Sequence, residues 1–157
     1  MTERNPADGP SFREAVPSDA PFVAGLVNAA YRHYIPRIGT VPGPMTANYD
    51  EVIRDDRVTI AERDGAIVGV IVLRVTDEGF LIDNIAVHPA HRGTGVGKAL
   101  LEFAEDEARR AGFDAVYLYT HEKMTENLAL YSRFGYLEYD RRSLRDFSLV
   151  FMRKRLA

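Results

Sequence analysis

Residues 81–112 read LIDNIAVHPAHRGTGVGKALLEFAEDEARRAG: a strand, a glycine-rich turn and a helix in direct succession. Alternation of Leu81, Asp83, Ile85 and Val87 with Ile82, Asn84 and Ala86 predicts a strand over Leu81–His88, stopped by Pro89. After the turn, Val96, Leu100, Phe103, Ala104, Ala108 and Ala111 keep helical spacing, and Gly112 can take the left-handed cap. Between them, Gly93, Gly95 and Gly97 let the backbone come close to a ligand at a helix N-terminus, where free N–H groups suit a phosphate or pyrophosphate.

Spacing separates the motifs that use glycine in this way. A P-loop, G-x-x-x-x-G-K-[ST], would put its first glycine at Arg92 and its metal-binding hydroxyl at Ala99, so it fails twice. The dinucleotide fingerprint G-x-G-x-x-G fails at Lys98 or at Leu100, depending on which glycine starts it. The pattern [QR]-x-x-G-x-[GA] is satisfied by Arg92-Gly93-Thr94-Gly95-Val96-Gly97. In its strand-turn-helix setting this resembles the acetyl-CoA site of the GNAT N-acetyltransferase family. Downstream, Asn127-Leu128-Ala129-Leu130-Tyr131-Ser132-Arg133-Phe134-Gly135-Tyr136 resembles the family's second motif, N-x-x-A-x-x-x-Y-x-x-x-G-[FY], in a form shortened between Asn127 and Tyr131. The four-residue interval from Asn127 to Tyr131 puts both on one helical face.

Composition bounds the alternatives. A chain of 157 residues suits one domain, here residues 11–157 behind a disordered tail, Met1–Pro10. Net charge of −3 does not suggest a nucleic-acid partner. There is no cysteine, which excludes disulfides, thiolate metal sites and a thiol nucleophile. The N-terminus lacks a signal peptide's apolar segment, and the longest apolar run, Ala66–Leu73, is too short for a membrane span. A cytoplasmic protein with no metal, no membrane and no nucleic acid is expected, and a homodimer is compatible with this.

Outward from the centre, the sequence predicts a strand at Phe12–Val16 and a helix capped by Ser18 that carries Phe22, Val23, Leu26, Val27, Ala30 and Tyr34. Ile35–Met45, rich in proline and glycine, reads as an extended loop, followed by a helix over Thr46–Asp55 capped by Thr46. Strands at Val58–Arg63 and Ala66–Val75 flank Asp64-Gly65, a hairpin signal. A strand at Asp114–Thr120, a helix at Thr125–Arg133 and a hairpin of Tyr136–Arg142 with Phe147–Lys154 complete the chain. The fold class is α/β: a mixed, mostly antiparallel central sheet with helices on both faces. The GNAT resemblance implies the same order, with the fourth and fifth strands, Leu81–His88 and Asp114–Thr120, splayed apart.

The resemblance also implies a function: acetyl transfer from acetyl-CoA, as co-substrate, to a primary amine by direct attack. The implied cofactor contacts are Ile85, Ala86 and Val87 on the open strand edge, Arg92–Lys98 in the turn, and Asn127 and Tyr131. Unpaired backbone groups on Ile85 and Val87 would meet the amides of pantetheine. Tyr131, an ordinary core aromatic if taken alone, is implied as the hydrogen-bond donor to the leaving thiolate. Asp83, a carboxylate in an apolar strand, reads either as a hydrogen-bond partner of a neighbouring loop or as a general base. His88 and His91 are expected to be solvent-exposed, and Arg141, Arg142, Arg145, Arg153, Lys154 and Arg155 to be solvated hairpin charges. Tyr31, Tyr34, Ile38, Met45 and His121 are the candidate contacts of a small-molecule or peptide amine acceptor. A non-catalytic acyl-CoA-binding sensor module of the same fold is the alternative.

Overall fold

The computed structural model describes residues 9–144 and 147–157. The expected tail falls largely outside these residues, although Pro10, its last member, is buried. Among the described residues seven strands form one sheet in the order β1-β2-β3-β4-β5-β7-β6. They are β1 (Ser11–Glu14), β2 (Arg57–Arg63), β3 (Ala66–Thr76), β4 (Gly79–Val87), β5 (Ala115–His121), β6 (Leu137–Leu144) and β7 (Phe147–Arg155). Only β4 and β5 pair in parallel, as their helical crossover requires.

Helices cover both faces. On one side lie α1 (Ala20–Tyr31), the single turn α2 (Ile35–Ile38) and α3 (Tyr49–Asp55). Val23, Val27 and Tyr49 pack there against Ile60, Val70 and Val72. On the other side lie α4 (Val96–Arg110) and α5 (Thr125–Arg133). There Val96, Leu100, Leu101 and Ala104 pack on Val68, Ile71, Ile82 and Val116. This two-sided burial explains why β3 is apolar along most of its length instead of alternating with polar residues.

Several local expectations change for physical reasons. Ser18 does not cap α1: Pro17–Asp19 form a 3-10 turn whose Asp19 carboxylate accepts from the Val16 N–H at 2.8 Å and from Arg13 at 2.8 and 2.9 Å. Helix α1 ends at Tyr31, and Tyr34 lies in a following 3-10 turn. The stretch Ile35–Met45 is partly helical, because Pro36 fits a first helical turn and Gly39, at φ 87°, ends it. Asn48, not Thr46, caps α3, its Oδ1 accepting from the N–H groups of Asp50 and Glu51. In the last hairpin Arg142 lies 4.0 Å from the centre of the Phe151 ring and Arg153 4.5 Å from that of Tyr139, while Lys154 donates to the buried Glu105. These three cations are packed, not simply solvated, and Arg145 is outside the described residues. His88 and His91 are half-buried.

The central strand differs most from simple alternation. Val72 pairs with Asn84 and Leu73 with Ile82, leaving Asp83 as the extra residue of a β-bulge. The bulge reverses parity, so Ile82 and Ile85 both face α4, while Asn84 and Ala86 turn toward α1.

Contact between α4 and the sheet depends on Gly69. A Cβ there would lie 3.0 Å from Leu100 Cδ1, 3.1 Å from Val96 Cγ1 and 3.2 Å from the Ala86 carbonyl oxygen. Leu100 and Val96 are fully buried, and the Ala86 carbonyl belongs to the paired backbone of β4. Gly69→Ala is therefore expected to destabilise the fold by about 1–3 kcal/mol, measured by urea unfolding. A stability equal to wild type would show that α4 can shift without loss.

Candidate active site

Parallel pairing between β4 and β5 covers only Phe80, Ile82 and Leu81 against Val116, Leu118 and Tyr117. Past Ile82 the strands part, and β5 from Tyr119 to His121 pairs with β7 alone. Two cavities use the gap. One, of about 550 Å³, runs between the end of β4, the glycine turn and α5, and is lined by Ala86, Val87, Gly93, Gly97 and Asn127 among others. The other, of about 330 Å³, lies between β4, β5 and the segment before α3, with Asp83, Tyr119 and His121 in its wall. Tyr31, Ile85 and Tyr131 line both. The two spaces meet at those three residues.

The glycine turn is held from both ends. Gly93 and Gly95 have φ values of 75° and 89°, so the left-handed backbone explains the glycines there. Gly97 is different: a Cβ there would make only ordinary contact with Leu130 of α5 at 3.6 Å and Val87 at 3.9 Å, so the packing of the free protein does not require a glycine. The first bond of α4 runs from the Ala99 N–H to the Gly95 carbonyl at 3.0 Å. The N–H groups of Val96, Gly97 and Lys98 are thus free of the helix ladder, at its positive end. Arg92 donates to the Ala30 carbonyl at 2.8 Å, tying the turn to the end of α1. Thr94 accepts from Arg63 at 3.0 Å and donates to the His91 carbonyl. Val96 is buried in the core and Thr94 faces Arg63, so of the predicted turn residues Arg92, Gly93, Gly95, Gly97 and Lys98 line the cleft.

The tyrosines divide into two kinds. Tyr31 donates to Asn84 Oδ1 at 3.1 Å or to the Ile85 carbonyl at 3.0 Å, and Asn84 Nδ2 donates to Tyr49 Oη at 3.1 Å. Tyr49 in turn donates to the Pro44 carbonyl. This buried chain ties α1, α3 and the Gly43–Thr46 turn to the β4 bulge. Tyr131 is 4 % exposed, yet no described residue hydrogen-bonds its hydroxyl. Burial raises its pKa well above that of a free phenol, so it is a neutral O–H donor at physiological pH.

A sequence model of the acetyltransferase (GNAT) family matches residues 27–136. The chain belongs to that family. It is 36% identical over 86 residues to an IAA acetyltransferase of Azospirillum brasilense, a match that covers 54% of this chain and 56% of that protein. It is 29% identical over 132 residues to the streptothricin acetyltransferase of Streptomyces lavendulae, covering 82% of this chain and 64% of that one. In both cases the match spans less than two thirds of the relative. The fold superimposes on a Salmonella typhimurium putative acetyltransferase determined with its cofactor acetyl-CoA, with a TM-score of 0.69, 21% identity, and coverage of 96% and 95% of the two chains.

Within this GNAT fold the remaining predicted contacts fall as follows. Tyr31, Ile38 and His121 line the smaller cavity, whereas Tyr34 lines the larger one. Met45 lines neither, packing half-buried against the α1 and α3 core. Arg37 caps Glu126 at 2.8 Å on the exposed side, holding α2 to the start of α5. Asn84, Tyr119 and Phe147 belong to the site although sequence reasoning did not select them; the polar pair Asp83-Asn84 in a buried strand was the available signal. Burial is the main influence on Asp83 and raises its pKa; the Arg74 guanidinium at 3.9 Å opposes this, Asp56 adds to it, and Tyr119 opposes it. His121 accepts at Nδ1 from the Lys123 N–H at 3.0 Å, and burial lowers its pKa. It is therefore neutral, with its hydrogen on Nε2.

The two tyrosines should respond differently to loss of one oxygen. Tyr31→Phe strands the buried Asn84 amide and is expected to cost about 1–3 kcal/mol in urea unfolding. Tyr131→Phe removes no protein hydrogen bond and is expected to stay within about 0.5 kcal/mol of wild type. Equal costs would show that the Tyr31–Asn84–Tyr49 chain does not support the site.

Proposed function

We propose that this chain transfers an acetyl group from acetyl-CoA to an amine by direct attack, with both substrates bound at once. The observation that carries this reading is the meeting of two differently lined cavities at Tyr31, Ile85 and Tyr131. One is edged by free helix N-terminal N–H groups and the other contains a carboxylate. Relatives named as acetyltransferases support the same class of reaction.

The larger cavity fits the cofactor. Backbone N–H groups from Gly93 to Lys98 bind its pyrophosphate, with Arg92 setting the turn against α1 and Asn127 standing on the α5 wall. The open edge of β4 at Ile85, Ala86 and Val87 faces the pantetheine arm, and the Ile85 carbonyl keeps a second lone pair beside its bond to Tyr31. Bound acetyl-CoA supplies the thioester carbonyl that the amine attacks.

Two proton movements remain for the protein. An alkylamine with a pKa near ~10.4 is about one part in 10³ neutral at pH 7, a handicap near ~4–5 kcal/mol. Asp83, raised by burial, accepts that proton, directly or through a water. His121 is poorly placed to compete, because the Lys123 N–H occupies its Nδ1 and fixes a hydrogen on Nε2. Tyr131 donates its hydroxyl hydrogen bond to the departing sulfur. The absence of cysteine removes a thiol as an acyl carrier and supports direct attack.

The test is release of CoA on incubation with acetyl-CoA and an amine panel. Tyr131→Phe should lower kcat by roughly 10²-fold while the CoA Kd, measured by calorimetry, is unchanged. Wild-type turnover by that variant, with chemistry rate-limiting, would remove Tyr131 from the reaction. CoA binding without release for any amine would favour the sensor module.

Asp83 carries its own pH signature. The active form is the carboxylate, so kcat/KM should rise with pH through a pKa above the ordinary ~3.9. Asp83→Asn should flatten that limb. The raised folded pKa also means that Asp83 favours the fold most when protonated, and this contribution is lost as pH rises through that pKa. Asp83→Asn should therefore be at least as stable as wild type at pH 7. An unchanged pH profile would assign the proton to another group.

A further inference from the structure

The lining of the smaller cavity defines what it can accept. Its walls are mainly aromatic and aliphatic, Tyr49, Val52, Tyr119, Phe147 and Leu149 among them, with Asn84 and Thr120 as uncharged polar side chains. Asp83 is its single charged lining residue among those described. Two further charges stand behind that carboxylate: Arg74 at 3.9 Å from Asp83 and at 3.5 Å from Asp56. The trio sums to one negative charge. His121, the other titratable group besides the tyrosines, is neutral for the reason given above. The volume of about 330 Å³ lies near the lower end of the ~300–1,000 Å³ usual for small-molecule sites.

The geometry points to a compact monocationic amine with an uncharged apolar body, an aryl- or alkylalkylamine without a carboxylate, phosphonate or sulfonate, as the acceptor. This inference rests on the acetyltransferase reading of the same site. One net negative charge neutralises one ammonium, and the aromatic walls suit a cation and the apolar group behind it. An acceptor bearing an acid group would put that anion among tyrosine rings and aliphatic side chains with no cation lining the cavity among the described residues. A buried, unpaired carboxylate is strongly disfavoured. A polyamine would carry a second and third ammonium past Asp83 into a wall that offers them no further carboxylate among the described residues. A folded polypeptide would have to reach Asp83 with a single side chain between the Gly43–Thr46 turn and β7, both of which line the space.

The deciding measurement is calorimetric titration of the full chain, preloaded with CoA, with four probes: phenethylamine, phenylalanine, 2-aminoethylphosphonate and spermidine. Phenylalanine differs from phenethylamine by the carboxylate alone. Phenethylamine should bind about 10²-fold more tightly than either anion-bearing probe and more tightly than spermidine. The inference is overturned if phenylalanine or the phosphonate binds as well as phenethylamine, if spermidine binds better, or if none of the four binds. CoA release is scored separately with the same amines. Selective binding of phenethylamine without CoA release overturns acetyl transfer and leaves the cavity's selectivity standing. Release with phenylalanine, the phosphonate or spermidine in preference to phenethylamine does the reverse.

Discussion

The site depends on where β4 stops pairing with β5. Parallel pairing satisfies both strands as far as Ile82 and Leu118, and from there the backbone of β4 has a free edge. A free edge inside a protein is costly unless something supplies donors and acceptors. Tyr31 satisfies the Ile85 carbonyl from the side of α1, and Ile85, Ala86 and Val87 line the larger cavity. The bulge at Asp83 sits at the divergence and steers the strand away. It also turns Asp83 out of the alternation, so a carboxylate lies in the cavity wall while Ile82 and Ile85 stay in the core.

That divergence would be worth little without an anchored glycine turn. Gly69 lets α4 lie close to the sheet, and the first turn of α4 lies beside Val87 and Leu130 of α5. Arg92 and Arg63 then tie the turn to the Ala30 carbonyl and to Thr94. The result is a turn whose Arg92, Gly93, Gly95, Gly97 and Lys98 line the cleft, tied by hydrogen bonds to α1 and β2. A donor array held this way keeps its geometry without a ligand, so little ordering cost falls on binding.

Much of this was legible in residues 81–112. Strand, turn and helix appear there in order, the Asp64-Gly65 hairpin falls where expected, and the crossover from β4 to β5 forces their parallel pairing. Less legible was anything that depends on side chains meeting across the fold. Asp19 replaces Ser18 as the organiser before α1 because Arg13, six residues earlier, reaches it. The bulge is invisible to periodicity, because a one-residue insertion shows only when the partner strand is known. Asn84 was missed for a related reason. Its value lies in linking Tyr31 to Tyr49, residues 53 and 35 positions away.

The pair Tyr31 and Tyr131 shows what the structure adds to a motif. Both are buried tyrosines on helices, both line both cavities, and both have pKa values raised by burial. Residue type and accessibility cannot separate them. Hydrogen bonding does: the Tyr31 hydroxyl is committed to Asn84 and Ile85, whereas no described residue engages that of Tyr131. A committed hydroxyl stabilises the frame and would lose that bond by serving a ligand. An uncommitted hydroxyl that faces a cavity can serve a ligand's acceptor atom without giving up a protein hydrogen bond. The difference sets Tyr31 in the frame of the site, and it is the uncommitted hydroxyl of Tyr131 on which the proposed donation to the leaving sulfur rests.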